Sequence, residues 1–280
     1  MASTVDAKNS STADNEKKQT ITPRSSEEEP QEEELKSRLK HHLTSPIQTN
    51  FLAEAELLIL TFCTGIQDAT TFPDYHCFAS NQTGNTVMLA MAVLLPDVTY
   101  ELFVTENIGV ALTLFLIGVW ATGQLGHIVG VRSRLWIIFC NLIQTILVFI
   151  AAAIQHFYGV ELRGTRTLII VGLLALAAGS QVVLSRSLAL TEISTAMATA
   201  AWVDLVNDRK LFAMSNRART RRIAFLIVLF GGAFFGAFIY RSLGSAAALF
   251  FSAIGKLIVT FMFFFNKADG ANKFVQGSLV

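Results

Sequence analysis

An all-α, polytopic transmembrane helix bundle of six to eight spans, with two repeated halves, is the architecture this sequence predicts. Three observations carry it. Of 280 residues, 52% are hydrophobic and only 15% charged, giving a mean hydropathy of +0.49, whereas a soluble domain carries about a quarter charged residues. Long apolar runs recur along the chain, and a set of glycine, glutamine and threonine positions returns after a nearly constant interval.

The charges crowd into the first fifty residues, where Glu27, Glu28, Glu29, Glu32, Glu33 and Glu34 follow a Ser/Thr/Lys-rich stretch. With almost no aromatic residues, residues 1–50 cannot bury enough apolar surface to fold and read as a disordered cytoplasmic tail. No apolar stretch stands close behind Met1, as a secretory signal would require, so the first apolar helix is expected to act as its own anchor. The transmembrane domain is assigned to 51–266, with a first half at 51–157, a second half at 168–265 and a short C-terminal tail at 267–280.

A spanning helix needs about twenty mainly apolar residues. The segments Ile108–Val129, Leu135–Phe157, Leu168–Leu184, Ile223–Tyr240 and Ala246–Phe265 meet or approach that length. Three weaker segments are laced with polar residues: Phe51–Phe72, His76–Leu95 and Ala189–Val206. Polar or irregular backbone at membrane depth requires cover from protein or a water-filled cavity.

An internal repeat accounts for these segments. Gly65-Ile66-Gln67 returns as Gly179-Ser180-Gln181, Thr86 pairs with Thr199, and Gly118 with Gly123 returns as Gly231 with Gly236, an offset near 113 residues. Duplicated halves are common in transporters. With an even number of crossings the halves share one orientation; with one re-entrant segment in each, the count falls to three per half and the orientation inverts. Arg209, Lys210, Arg217, Arg219, Arg221 and Arg222 form the richest basic loop, which places it, and both termini, on the cytoplasmic side.

Polar residues inside spans are costly and mark function. Asp68 and Gln67 lie in the first weak segment; Asn81, Thr83, Gly84 and Asn85 open the second; Gln181, Thr195 and Thr199 occupy the second half. Asp68 is a candidate proton carrier or helix cap. The Asn amides and Thr hydroxyl offer donors and acceptors together, suited to a polar uncharged or zwitterionic ligand, a cation, or interhelical hydrogen bonds. Thr195 and Thr199 stand at i and i+4, on one helical face. Cys63, Cys77 and Cys140, like His76 and His127, show no metal-ligand spacing, so neither a metal nor another cofactor is expected. Absent a nucleophile elbow, phosphate loop or clustered carboxylates, no enzyme is expected. A net charge of +1 points to no nucleic-acid partner.

The sequences Gly65-Ile66-Gln67-Asp68-Ala69 and Phe78-Ala79-Ser80-Asn81-Gln82-Thr83-Gly84-Asn85 resemble the G-x-x-D-A … F-x-S-N-x-T-G-N signature of the YoaK-type (DUF1275) membrane proteins. Gly179-Ser180-Gln181 and Glu192 through Thr199 are similar to that family's second block, although Val182-Val183 stands where the family often has Asn-Ala. The resemblance implies a multi-span inner- or plasma-membrane protein and no particular activity. Beside the lipid bilayer, the expected partner is a small polar solute or ion, carried by a secondary transporter or permease. The alternative is a membrane scaffold whose polar motifs serve as folding glue.

Overall fold

The computed structural model describes residues 45–48, 50–99 and 102–266; the bulk of the acidic tail and the segment 267–280 lie outside the described residues. The described chain is helical. α1 spans Phe51–Tyr75, α2 Gln82–Leu94, α3 Pro96–Thr99, α4 Thr105–Val129, α5 Arg134–Tyr158, α6 Thr165–Ser187, α7 Ala198–Val206, α8 Arg217–Leu243 and α9 Ser245–Met262, extended by one 3-10 turn at Phe263–Phe265. Local chemistry sets several boundaries. Asn50, Ser133 and Asn216 cap α1, α5 and α8 by accepting from Ala53, Trp136 and Arg219 N–H groups, each satisfying a donor the helix leaves open. Gly130, Gly159 and Gly244 end α4, α5 and α8 at positive φ, where a side chain would be strained.

Among the described residues, five helices are long and apolar enough to cross a membrane: α4, α5, α6, α8 and the α9 segment to Phe265. α1 has 25 residues, about 37 Å at helical rise, and is their equal in length but carries the polar residues that lowered its hydropathy. The surface is inverted relative to a soluble protein. Leu116, Trp120, Phe230, Phe234 and Phe238 are exposed on α4 and α8, while Glu56, Asn85, Arg134, Asn141, Gln144 and Lys256 are fully buried. Such polarity fits hydrocarbon outside and polar contacts within. The chain is a multi-pass integral membrane protein.

Contacts at the helix ends fix the direction of each span. Ile47 N–H donates to Arg132 O at 3.1 Å, and Arg217 and Arg221 reach Glu54 at 2.5 and 2.7 Å. The starts of α1, α5 and α8 therefore share one face, here the terminal face, with the end of α4. Asn266 at the end of α9 donates to Glu56 at 2.7 Å on the same side. At the far face, Asn107 Nδ2 at the start of α4 donates to Tyr75 O at 2.9 Å and to Leu162 O at 3.0 Å, joining the end of α1 to the α5–α6 turn. Tyr240 OH near the end of α8 donates to Asp74 at 2.8 Å.

α1 thus ends where α4 begins, so α2, a helix of 13 residues and about 20 Å, enters and leaves by the far face. Its counterpart α7, nine residues long, stays near the terminal face. Six spans result among the described residues, three per half. The first half runs away from the terminal face, back, and away; the second half does the reverse. Among the two readings the sequence left open, the inverted one is observed.

The halves interlock reciprocally. α1 packs on α8 as α6 packs on α4, α1 on α9 as α6 on α5, and α2 on α4 as α7 on α8. A Cβ at Gly65 would lie 2.4 Å from Leu229 O and 2.7 Å from Ala233 N; one at Gly179 would lie 2.2 Å from Phe115 O and 3.1 Å from Val119 N. Gly118 meets Leu176 as Gly232 meets Phe62. Every one of these pairs is offset by 114. At this offset three expected pairings shift by one residue: Gly118 matches Gly232 and not Gly231, which faces open space, while Gly236 matches Thr122 and not Gly123, and Thr199 matches Asn85 and not Thr86. Of two adjacent glycines, only the one touching backbone carries the register.

Candidate functional site

A buried polar column runs the length of α1, α5 and α9. Its residues recur along each helix at intervals close to whole helical turns, such as three, four, seven, eight or eleven residues: Glu56, Thr64, Gln67 and Asp74 on α1; Arg134, Asn141, Gln144, Thr145 and Gln155 on α5; Ser245, Ser252, Lys256 and Thr260 on α9. Near the terminal face, Asn266 Nδ2 donates to both oxygens of Glu56, at 2.7 and 2.8 Å, and accepts on its backbone oxygen from Arg134. Near the far face, Asp74 accepts from Gln155 at 2.7 Å and from Tyr240 at 2.8 Å, while Gln155 also donates to Ser245 at 2.6 Å. Between the middle of the column and that far cluster, Gln67 donates to Ser252 at 2.8 Å.

Midway lies Lys256, twelfth of the 21 residues in its span and 0% exposed. Its ammonium donates to the side-chain oxygens of Gln181 on α6 and of Gln144 on α5, the latter at 3.4 Å. It forms no ion pair among the described residues. The Gln181 amide has its orientation dictated by Thr64. The Thr64 hydroxyl donates to Leu60 O at 3.0 Å, so it can only accept from Gln181 Nε2, at 2.8 Å, which turns Gln181 Oε1 to the lysine. Gln144 Nε2 is engaged by Ser180 Oγ at 3.0 Å, and its oxygen likewise faces Lys256. Asn141 Nδ2 braces the turn by donating to Lys256 O at 3.0 Å and Thr260 Oγ1 at 2.8 Å.

The residues singled out from sequence divide. Gln67 and Gln181 lie in the column. Asp68 does not: its carboxylate accepts from Ser80 N–H at 3.0 Å and from Ser80 Oγ at 2.5 Å, tying α1 to the re-entrant turn. Asn85, fully buried, accepts from Phe78 N–H at 2.9 Å and donates to Phe78 O at 2.8 Å, closing the same turn. Asn81 caps α2 by accepting from Gly84 N–H at 3.4 Å, Thr83 is exposed, and Gly84 leaves room for the Phe78 ring, which a Cβ would approach to 3.3 Å. Thr195 and Thr199 do not share a helical face. Thr195 sits in the loop before α7 at φ 58°, and Thr199 is exposed on α7. Asp68 and Asn85 stand near the far face and Thr199 near the terminal face, so the expectation of one cavity joining them to Gln181 is corrected: inversion of the halves sends the two re-entrant segments to opposite sides.

Sequence reasoning passed over Lys256, Gln144, Asn141, Glu56 and Gln155 as residues of otherwise apolar or flanking stretches. The signal was there: a lysine at the middle of a span is costly enough to demand a reason, and Asn141, Gln144 and Thr145 share a helical face.

A cavity of about 160 Å³ adjoins this centre, lined by Gly118, Thr122, Trp136, Cys140, Gln144 and Ser180 among others. It lies between α4, α5 and α6. On the terminal face a second cavity of about 390 Å³ is lined by Arg186, Glu192, Met197, Asp204 and Arg222. No cluster of histidine, cysteine and carboxylate side chains suited to a metal occurs among the described residues.

Inverted three-span repeats enclosing a polar column define a class of duplicated multi-pass membrane proteins. Residues 57–262 match the family described as "Protein of unknown function (DUF1275)", and the chain belongs to it. Neither a curated protein nor a solved structure matches the chain.

Proposed function

We propose that the protein is a secondary carrier for a small polar solute, with Lys256 at the centre of its pathway. The observation that supports this is the lysine's position: an ammonium without an acidic partner among the described residues, near mid-membrane, where inverted halves meet on a polar column. Inverted repeats with a midplane site are a recurring plan of carriers, since rocking one half against the other exposes the site alternately. The Glu56–Asn266–Arg134 cluster and the Asp74–Gln155–Tyr240 cluster then close the two ends. Asp68, spent on Ser80, holds the re-entrant turn, and coupling passes to Lys256.

The reading places the termini in the cytoplasm and the protein in the plasma membrane. Arg132, Arg134, Arg186, Arg209, Lys210, Arg217, Arg219, Arg221 and Arg222 belong to the terminal face, against Arg163, Arg166 and Arg241 at the far face, the asymmetry expected of a cytoplasmic side. The basic turn Arg132–Arg134, awkward for eight crossings, falls on this side with six.

Reconstituted vesicles loaded with a metabolite panel test the function by counterflow. The expected result is uptake that disappears in Lys256→Met and persists in Asp68→Asn at equal abundance. A non-transporting scaffold is the second reading, favoured by the intramolecular bonds of Asp68, Asn81 and Asn85. Under it, no panel member exchanges and the variants alter only stability.

A further inference from the structure

We infer that the carrier's solute is a small anion of carboxylate type, which occupies the cavity between α4, α5 and α6 and replaces Gln144 on Lys256. This deepens the carrier reading and rests on it for the word solute; the binding site itself stands on separate observations. A fully buried ammonium requires compensation, and amide oxygens supply only partial charge. Groups facing Lys256 from the packed helices are neutral or weakly acidic: Thr64 and Cys63 from α1, Asn141 and Gln144 from α5, Ser180 and Gln181 from α6. Glu56 and Asp74 are committed to Asn266 and to Gln155 with Tyr240. Among the described residues, a negative charge is what this centre lacks.

Gln144 connects the centre to the empty space. Its side chain binds Lys256 by the longer of the two lysine contacts, 3.4 Å, and also lines the cavity beside its partner Ser180. Turning that one amide aside opens the ammonium to the cavity, with the Ser180 hydroxyl and the Gln144 NH₂ left as further donors. At about 160 Å³ the space is near the ~150 Å³ that holds a benzene ring. That is room for a short monocarboxylate. Its remaining walls, Leu125, Phe139, Ile143, Leu147 and Leu176, suit an apolar tail. The same place in the other half is closed: there Gly236 packs on Ile66, a Cβ at Gly236 lying 2.8 Å from Ile66 Cα, whereas offset 114 puts Thr122 and Ser180 at the open side.

The test is thermal unfolding of the full chain in detergent, titrated with sodium acetate, sodium propionate and, as neutral isostere, acetamide. The carboxylates should raise the melting temperature saturably and acetamide should not. Lys256→Met should abolish the shift. Thr122→Leu, which fills the cavity and keeps the lysine, should weaken acetate or propionate by about tenfold. No carboxylate shift, an equal shift with acetamide, or a shift surviving in Lys256→Met overturns the proposal. Uptake of labelled acetate and propionate into proteoliposomes separates the two layers. Saturable binding without uptake leaves the anion site and removes the carrier. Uptake unaffected by Lys256→Met leaves a carrier and removes the anion site.

Discussion

The two halves share a scaffold and differ in chemistry. Gly65 on Leu229 and Gly179 on Phe115, Gly118 on Leu176 and Gly232 on Phe62 are the same contacts made twice in opposite directions. Backbone approach this close tolerates no side chain, so those positions have been held while neighbours diverged. α1 carries Glu56, Gln67 and Asp74 along its buried face; its counterpart α6 carries chiefly Gln181 there. The first re-entrant turn is closed by Asp68 and Asn85, whereas offset 114 gives Val182 and Thr199 in the second. The tight Gly236–Ile66 contact in one half is a cavity beside Thr122 and Ser180 in the other. Duplication supplied a symmetric frame; the candidate site lies where the frame is broken.

The frame can be broken first. Gly65→Leu and Gly179→Leu should each prevent assembly, because overpacking against backbone cannot relax by a rotamer change and costs about 3 kcal/mol or more. The expected readout is loss of the monodisperse peak in size-exclusion chromatography, equally for both, with Gly123→Ala and Gly231→Ala unchanged because nothing lies near those positions. A large difference between Gly65 and Gly179 would contradict the reciprocal interlock.

The next contrast concerns the paired glutamines. Gln181→Leu leaves the Lys256 ammonium without its nearer partner, a loss of about 3 kcal/mol for a buried charge. Gln67→Leu removes a neutral bond to Ser252, whose hydroxyl still donates to Cys63 O at 3.1 Å, for about 1 kcal/mol. Melting in detergent should rank them in that order. Equal effects would mean that Lys256 does not depend on Gln181.

How far the sequence could be read follows the same division. Helices and the repeat were legible because apolar length and glycine spacing are local signals; α1 reads as weak because the polar residues on its buried face lower its hydropathy. The choice between six and eight spans was not legible. A 13-residue helix is too short to cross, but it takes contacts distant in sequence, such as those of Asn107 with Tyr75 and Leu162, to show that α2 returns to the face it left. Asp68 drew attention as a carboxylate in a span and Asn85 as an amide offering donor and acceptor together, and both proved to be spent on Ser80 and Phe78. Lys256 was hidden by its surroundings: one cation in an otherwise apolar span barely moves the average, and its partners come from α5 and α6, distant in sequence.

The re-entrant segments offer a smaller contrast. Asn85→Ala frees both backbone groups of Phe78 in a buried turn and should cost about 2 kcal/mol. Its counterpart at offset 114 is Thr199, exposed on α7, and Thr199→Ala should stay within about 0.5 kcal/mol. Parallel melts decide this; a Thr199 effect as large as that of Asn85 would restore a matched role for the two.

The smallest effect belongs to the terminal-face loop, where a carboxylate does the holding. Asp208 accepts from Lys210 N–H at 2.8 Å and Asn216 Nδ2 at 2.9 Å, with Arg222 at 3.4 Å. These bonds, the Lys210 N–H foremost, hold its carboxyl below the ordinary carboxylate range. A folded value below the unfolded one means that the stabilisation is fully present above the unfolded value of about 3.9. It is lost as pH falls through the folded value. The 207–216 loop should therefore resist pepsin at about pH 4.5 and be cut within it increasingly as the pH is lowered from there. In Asp208→Asn the carboxylate is gone at every pH, so cutting should begin already at about pH 4.5. Pepsin cutting that is the same in both proteins at every pH would show that Asp208 does not close the loop.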